Sequence, residues 1–333
     1  MPGTRLLSYL QLGKETTKGT AVAATFRLSP DLDSAYSIDW MKTYHEGRAT
    51  GYRNPVSYAT QQGQIVAISY RTPDDTGIAF DELPYFLHFP QGGTAGTGST
   101  AVTWGWAWGG TATGTALAYT IEFGDDTQEF EAEYCQVRHI NIRGSREGMT
   151  TLSADIFGRQ STKSTKTTLA TVDDVRIPGY LWTLSHATAA SGLAAASVIP
   201  NFLREWEADW DTGLVPHFYN DGTAVFGQSV ESAPVTGTVR LVVDSNSTAI
   251  TQYYDKGAAG TVDFARLKAT GPVIAGGTAY SALFEFGLEY TNVQPLGSEI
   301  DGVNTYEIEA RIVSDATWGQ AIGSTVVCNQ TAL

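Results

Sequence analysis

Glu205-Trp206-Glu207-Ala208-Asp209-Trp210-Asp211 alternates between carboxylate and apolar side chains without a break. Successive side chains of a β-strand point to opposite faces, so the four carboxylates share one face and Trp206, Ala208 and Trp210 the other. An indole is far costlier to leave in water than a carboxylate, which makes the aromatic face the inner one. The same arrangement recurs at Glu129, Glu131 and Glu133, with Phe130 and Tyr134 opposite. It recurs again at Glu307 and Glu309, backed by Tyr306 and Ile308. Like charges repeated along one strand face carry an electrostatic cost that folding alone does not require.

Working outward from these segments, short β-branched and aromatic runs are separated by Gly, Thr, Ser and Asn, the pattern of strands and turns. Strands are expected over residues 63–70, 118–123, 130–143, 151–157, 203–211, 236–243, 280–290 and 305–313. Helical patterning is confined to residues 75–87 and 247–256, each of which follows a strand. In both halves a segment opening on Gly-Ser (Gly144–Gly148 and Gly297–Gly302) lies between two strands and reads as a hairpin turn. These parallels suggest a duplicated unit. The polar run Ser161-Thr-Lys-Ser-Thr-Lys-Thr-Thr168 reads as the linker, placing a domain at 1–170 and another at 171–333. Residues 1–172 carry 14 Lys/Arg against 17 Asp/Glu, and residues 173–333 carry 7 against 18, so acidity concentrates in the second half.

The chain has 333 residues, 42% of them hydrophobic and only 17% charged, with 35 glycines and a net charge of −14. It can bury a core, and it lacks the cationic surface with which proteins grip nucleic-acid phosphates. Cys135 and Cys328 stand apart, which excludes a disulfide framework and a cysteine-rich zinc site. The amino terminus has no apolar signal-like run and no window suits a spanning helix, so a soluble protein made in the cytoplasm is expected. The sequons at Asn246 and Asn329 carry little weight without a secretory signal.

Few residues suggest chemistry. His45, His88, His139, His186 and His217 sit in separate segments, with no HExxH, GxSxG or phosphate-loop motif. Gly93-Thr-Ala-Gly96-Thr-Gly98 lacks the basic residue and helix that a phosphate site needs. No catalytic residue, cofactor or metal is assigned. Three explanations compete for the acidic strands: a solvated outer face, a calcium site, or a negative wall past which a polyanion slides. Gln91–Gly114 is nearly all Gly, Thr and Ala, apart chiefly from Trp104, Trp106 and Trp108 at spacing two. Those indoles either face a core or are presented to a partner chain or a sugar.

The order of features resembles the tail tube proteins of long-tailed bacteriophages. Leu10-Gln-Leu-Gly13-Lys-Glu15-Thr-Thr-Lys-Gly19-Thr-Ala-Val-Ala-Ala-Thr25 is similar to that family's amino-terminal G-x-E-x-x-x-G-T-A-V-A-x-T segment. Trp104–Trp108, Tyr119-Thr-Ile-Glu-Phe-Gly124-Asp125 and Cys135-Gln-Val-Arg-His-Ile-Asn-Ile-Arg-Gly144 resemble its midsection, with Tyr134 where the family has glycine. Trp206–Gly213 followed by Phe226–Val243 resembles the opening of its second half.

The resemblance implies an all-β fold with minor α content: two tandem tube-type β-sandwich domains, each with a short helix, whose strands join an intersubunit β-barrel. Rings of six domains, hence three chains, would stack into the hollow tube that conducts DNA from virion to cell. The implied partners are further copies of the chain and other tail proteins (tape measure, terminator, tip), with DNA passing through unbound and no membrane contact. Glu205, Glu207, Asp209, Asp211, Glu129, Glu131 and Glu133 would face the lumen. The arm 1–24 and the loop 91–114 would be mobile in the free subunit and order between rings, with Trp104, Trp106 and Trp108 as inter-ring contacts. The alternative is a carbohydrate-binding β-sandwich protein of a tail tip or cell surface that uses the same three indoles.

Overall fold

The computed structural model describes residues 9–31, 34–47, 56–90, 93–110, 116–125, 127–170, 174–200, 202–220, 222–231 and 233–333. Strands dominate. The first half holds β1 (Tyr9–Lys14), β2 (Phe26–Leu28), β3 (Ala35–Gly47), β4 (Val56–Arg71), β5 (Thr94–Thr97), β6 (Val102–Trp108), β7 (Tyr119–Gly124), β8 (Glu129–Ser145), β9 (Thr151–Gly158) and β10 (Gln160–Lys163). The second holds β11 (Trp182–Ala187), β12 (Leu203–Asp211), β13 (Leu214–His217), β14 (Gln228–Glu231), β15 (Thr236–Asp244), β16 (Asp263–Ala275), β17 (Thr278–Ile300), β18 (Val303–Ile312) and β19 (Ile322–Cys328).

The pairings reveal one topology used twice. In the first half, antiparallel pairing runs β1-β7-β8-β10, with β2 added beside β1. The carboxyl-terminal part of β8 then leaves that sheet and continues a second one, β8-β9-β4-β3. In the second half, β11-β16-β17-β19 forms the first sheet, and the later part of β17 continues the second as β17-β18-β15-β12. Each long strand therefore serves two sheets. Each also carries a register shift at the matching place, between Val137 and His139 in β8 and between Tyr290 and Asn292 in β17. An extra residue there kinks the strand just after it has changed sheets.

At the bend of β8, Tyr134 holds φ at 52°, a left-handed conformation that favours glycine. A buried carboxylate holds it there. The Tyr134 N–H donates to Glu15 Oε1 at 2.7 Å, the Gly19 N–H to Glu15 Oε2 at 2.6 Å, and Thr120 Oγ1 to Glu15 Oε1 at 3.1 Å. Burial pushes the Glu15 pKa up, and these hydrogen bonds pull against that rise. The tyrosine ring packs against Phe226, 5.1 Å between centroids.

The helix expected over residues 75–87 is only Leu83–His88. The preceding residues are drawn into extended pairing instead: Ala79 bridges Arg176, and Ile78 N–H donates to Thr150 O at 2.8 Å. In the second half, helical residues run through Ser247–Ala249, a π segment Ile250–Asp255, and Lys256–Ala259. The second hairpin turns at Asp301-Gly302, the end of the expected segment, while Gly297-Ser298 lies inside β17. Asp301 and Gly302 take φ of 54° and 78°, the paired positive values a two-residue hairpin loop demands.

Three expectations are corrected by the packing. First, β6 pairs with β19 in the second half's sheet, and Trp104, Trp106 and Trp108 are 6%, 5% and 2% exposed within the chain's own core. Their side chains are therefore not available as inter-ring contacts. The glycine content of this stretch has a local cause: a Cβ at Gly93 would lie 2.5 Å from the Trp106 indole, and one at Gly96 would lie 2.6 Å from Trp104. Second, Tyr9–Lys14 of the supposed arm is a buried strand between β2 and β7, while residues 1–8 lie outside the described residues. Third, the polar run 161–168 is bound along the first half. Residues 160–163 pair with β8, and Thr162, Ser164, Lys166 and Thr167 donate to Glu131, Glu129 and Glu122.

One hydrophobic cluster spans both halves, joining Ile142 and Leu152 to Trp206, Leu241 and Phe284. Trp210, fully buried, sits at 5.4 Å from Trp108 and 6.4 Å from Phe284 between ring centroids. Trp210→Ala should cost about 3–5 kcal/mol in urea unfolding. Asp211→Ala, one residue on and exposed, should change stability by less than about 0.5 kcal/mol.

Candidate functional site: the polar face of the joined sheet

The two halves meet through β8 and β12, whose antiparallel register sets Asp211 opposite His139, Trp210 opposite Ile140 and Asp209 opposite Asn141. The pairing fuses the two second sheets into one eight-stranded sheet, β3-β4-β9-β8-β12-β15-β18-β17. Strand alternation gives this sheet one face turned to the core and one turned outward. Along β12, Trp206, Ala208 and Trp210 are buried, Glu205, Glu207 and Asp209 are half-buried, and Asp211 is exposed.

The outward face is mainly polar, with Val242 on β15 and Ala35, Ile65 and Ala67 on β3 and β4 as apolar interruptions. Its centre carries Glu205, Glu207, Asp209 and Asp211 on β12, Asp155 on β9, and Glu307 and Glu309 on β18. Arginines interleave with them: Arg143 on β8 and Arg240 on β15 are both register partners of Glu207, and Arg311 lies on β18. Much of the repulsion along β12 is therefore offset across strands. Asn141 Nδ2 donates to Glu207 Oε1 at 2.7 Å and to Asp209 Oδ2 at 2.9 Å, and His139 Nε2 lies 3.0 Å from Asp209 Oδ1. Arg240 pairs with Glu307 at 3.1 Å and Arg311 with Glu289 at 2.9 Å. The Arg240 hydrogen bond, with one from Ser298, holds the Glu307 carboxyl below its ordinary pKa. Carboxylates still outnumber guanidinium groups on the face.

Glu129, Glu131 and Glu133 do not belong to this wall. They lie on β8 before its bend, in the sheet shared with β7 and β10. There Glu133 pairs with Arg159 at 2.5 Å, and Glu129 and Glu131 accept bonds from residues 162–166. The sequence pattern is the same, but the change of sheet at Tyr134 separates the two acidic rows.

Two further titratable clusters are internal. Asp263, fully buried, accepts bonds from Tyr290 Oη at 2.7 Å, Lys256 Nζ at 2.6 Å and Gln252, and its Oδ2 lies 3.0 Å from His186 Nδ1. His186 Nε2 is 2.9 Å from Tyr253 Oη. Burial alone would raise the Asp263 pKa, yet the bonds from His186, Lys256 and Tyr290 bring it below the usual carboxylate value. The network ties the second helical segment to β11, β16 and β17, and residues from four segments consume its polar atoms. Glu82, also fully buried, accepts from the Ala79 and Ser29 N–H groups and pairs with Arg176 at 3.2 Å. Burial pushes its pKa up to about 7 despite the guanidinium.

Of the other histidines, burial and then Lys14 lower His88 to about 4, and its Nδ1 accepts from Trp106 Nε1 at 3.3 Å. His217 lies in the small β13-β14 hairpin, and the side chain of His45 lies outside the described residues. Among the described residues no group of three or more His, Cys, Asp or Glu is arranged to hold a metal ion. No helix among them is long and apolar enough to cross a membrane. A scan against protein-family models returns no match, and neither does a search of curated proteins.

The Glu82 shift has a definite sign. The folded state holds its proton more tightly than the unfolded chain, so its contribution to stability falls as pH rises from about 4.5 towards about 7. The loss across that window is on the order of 3 kcal/mol. Glu82→Gln should flatten that part of the stability–pH curve measured by denaturant titration.

Proposed function

We propose that the chain is a structural subunit that assembles edge to edge into rings, which stack as the hollow tail tube of a long-tailed bacteriophage. The observation that carries this reading is the joined eight-stranded sheet. It is built from two copies of one topology, bears a carboxylate-rich outward face, and ends in β3 and in residues 289–300 of β17, whose far edges pair with no strand among the described residues. An exposed strand edge is a template for pairing with another chain, and closure into a barrel removes it. With two repeats per chain, a ring of six repeats takes three chains and has threefold symmetry.

In this reading the face carrying Glu205, Glu207, Asp209, Asp211, Glu307 and Glu309 lines the lumen. A wall with excess carboxylate repels phosphates, so DNA passes without adhering. Contacts with tape-measure, terminator and tip proteins belong to the same proposal, as does residence in the virion. The carbohydrate-binding alternative loses the feature that motivated it, since its three indoles are buried.

Negative-stain microscopy of the purified protein should show threefold rings or filaments, and a strictly monomeric protein would reject the proposal. The charge of the wall is testable within assembled particles. Glu205→Lys, Asp211→Lys and Glu309→Lys spare the bonded Glu207–Asn141–Asp209 group. The triple variant should fold and assemble yet retain DNA in a salt-dependent manner, whereas tubes of the unmodified chain should not. A variant whose DNA retention is unchanged would count against a lumenal wall.

A further inference from the structure

The junction between the two halves specifies the junction between two chains. We infer that β17 of one copy pairs with β3 of the next in antiparallel register, with Val293 opposite Ile38, Asn292 opposite Asp39 and Gln294 opposite Ser37. The inference deepens the ring reading by naming the residues that would close the ring.

The duplication fixes which edges are alike. Within the chain the first repeat's β8 pairs with the second repeat's β12. By topology β8 matches β17 and β12 matches β3. The two edges left open, on β17 and β3, are therefore the same two kinds of edge that are already joined once at β8 and β12. A contact between unlike edges repeats from copy to copy and closes when the rotation allows.

The pairings also fix the register. The shifts after Val137 and after Tyr290 align the two long strands, so that His139, Ile140 and Asn141 match Asn292, Val293 and Gln294. Their partners agree: His139 faces Asp155 where Asn292 faces Glu309, and Ile140 faces Ala154 where Val293 faces Ile308. Following the ladders from β9 to β4 to β3, and from β18 to β15 to β12, aligns Ser37, Ile38 and Asp39 with Asp209, Trp210 and Asp211. The internal pairs Asp211–His139, Trp210–Ile140 and Asp209–Asn141 then translate directly into the three pairs named.

Side-chain chemistry supports this register. Ile38 and Val293 are apolar, only partly buried, and packed at the margin of the core, where a facing strand would complete their burial. Ser37, Asp39, Asn292 and Gln294 are exposed and can hydrogen-bond across the junction, as Asn141 does to Asp209. A one-residue slip would set Val293 against Ser37 or Asp39 and strand both apolar side chains on the wrong face.

Paired cysteines test the assignment in the full-length chain, whose native Cys135 and Cys328 are buried. After mild oxidation of assembled protein, Ser37→Cys with Gln294→Cys should give covalent dimers and trimers on a denaturing gel. Neither single variant should do so, and a mixture of the two single variants should stop at the dimer. Asp39→Cys with Asn292→Cys tests the same register independently. Ser37→Cys with Val293→Cys, whose thiols point to opposite faces, should stay uncoupled. Filaments in which neither in-register pair couples, or in which the off-register pair couples instead, would overturn the register while leaving the tube reading standing. Coupled trimers that never stack would do the reverse. A chain that sediments as a monomer and does not couple would remove both.

Discussion

The antiparallel ladder between β8 and β12 is the constraint on which the chain's architecture depends. Without it the two second sheets are separate. With it, two four-stranded sheets become one continuous surface, and the indoles of β12 meet apolar side chains of both halves. Trp206 and Trp210 are buried on one side of that ladder because the carboxylates on the other keep contact with solvent. The alternation therefore does two things at once: it sets the core of the second half and leaves a charged face spanning the seam. Arg143 and Arg240, flanking Glu207 on either side, make the face affordable electrostatically without cancelling its sign.

The ladder in turn requires β8 to leave its first sheet, and that turn rests on a buried carboxylate. Glu15 comes from the first described strand region, far from β8 in sequence, yet it accepts the N–H of the residue whose backbone is left-handed. A side chain near the amino terminus thereby directs where the chain's longest first-half strand goes. Gly19 closes the same arrangement: its φ of 77° lies in the left-handed region that side chains rarely adopt, and a Cβ there would meet the Arg159 guanidinium at 2.4 Å. The position of Tyr134 in a left-handed bend accounts physically for why glycine would suit it.

Much of the fold was legible because strands with one wet face announce themselves. Residues 203–211 coincide with β12, and seven other expected strands fall on observed ones, because period-two alternation is a direct record of which face is buried. The strands that escaped notice fail that test. Gln160–Lys163 is polar on both faces and looked like a linker, while Asp263–Ala275 begins with a buried aspartate that only its partners on other strands explain. The acidic wall was half legible: β12 and β18 contribute to it, but nothing local in Glu129–Glu133 reveals that β8 changes sheet between that row and His139. Likewise the three indoles at spacing two disclose a shared face but not that β19 supplies the neighbour.

That placement of β6 has a consequence for how the molecule is made. Val102 pairs with Cys328 and Trp108 with Ile322, so β6 must wait for a segment that lies more than 200 residues further along the chain. Pairing across so long a stretch of chain is slow to form. The first half made alone would leave β6 without its β19 neighbour. The second half, expressed alone, would lack an integral strand of its own sheet. Evolution or design that separated the two repeats into independent genes would first have to re-route this strand, which binds the duplicated units into one inheritance.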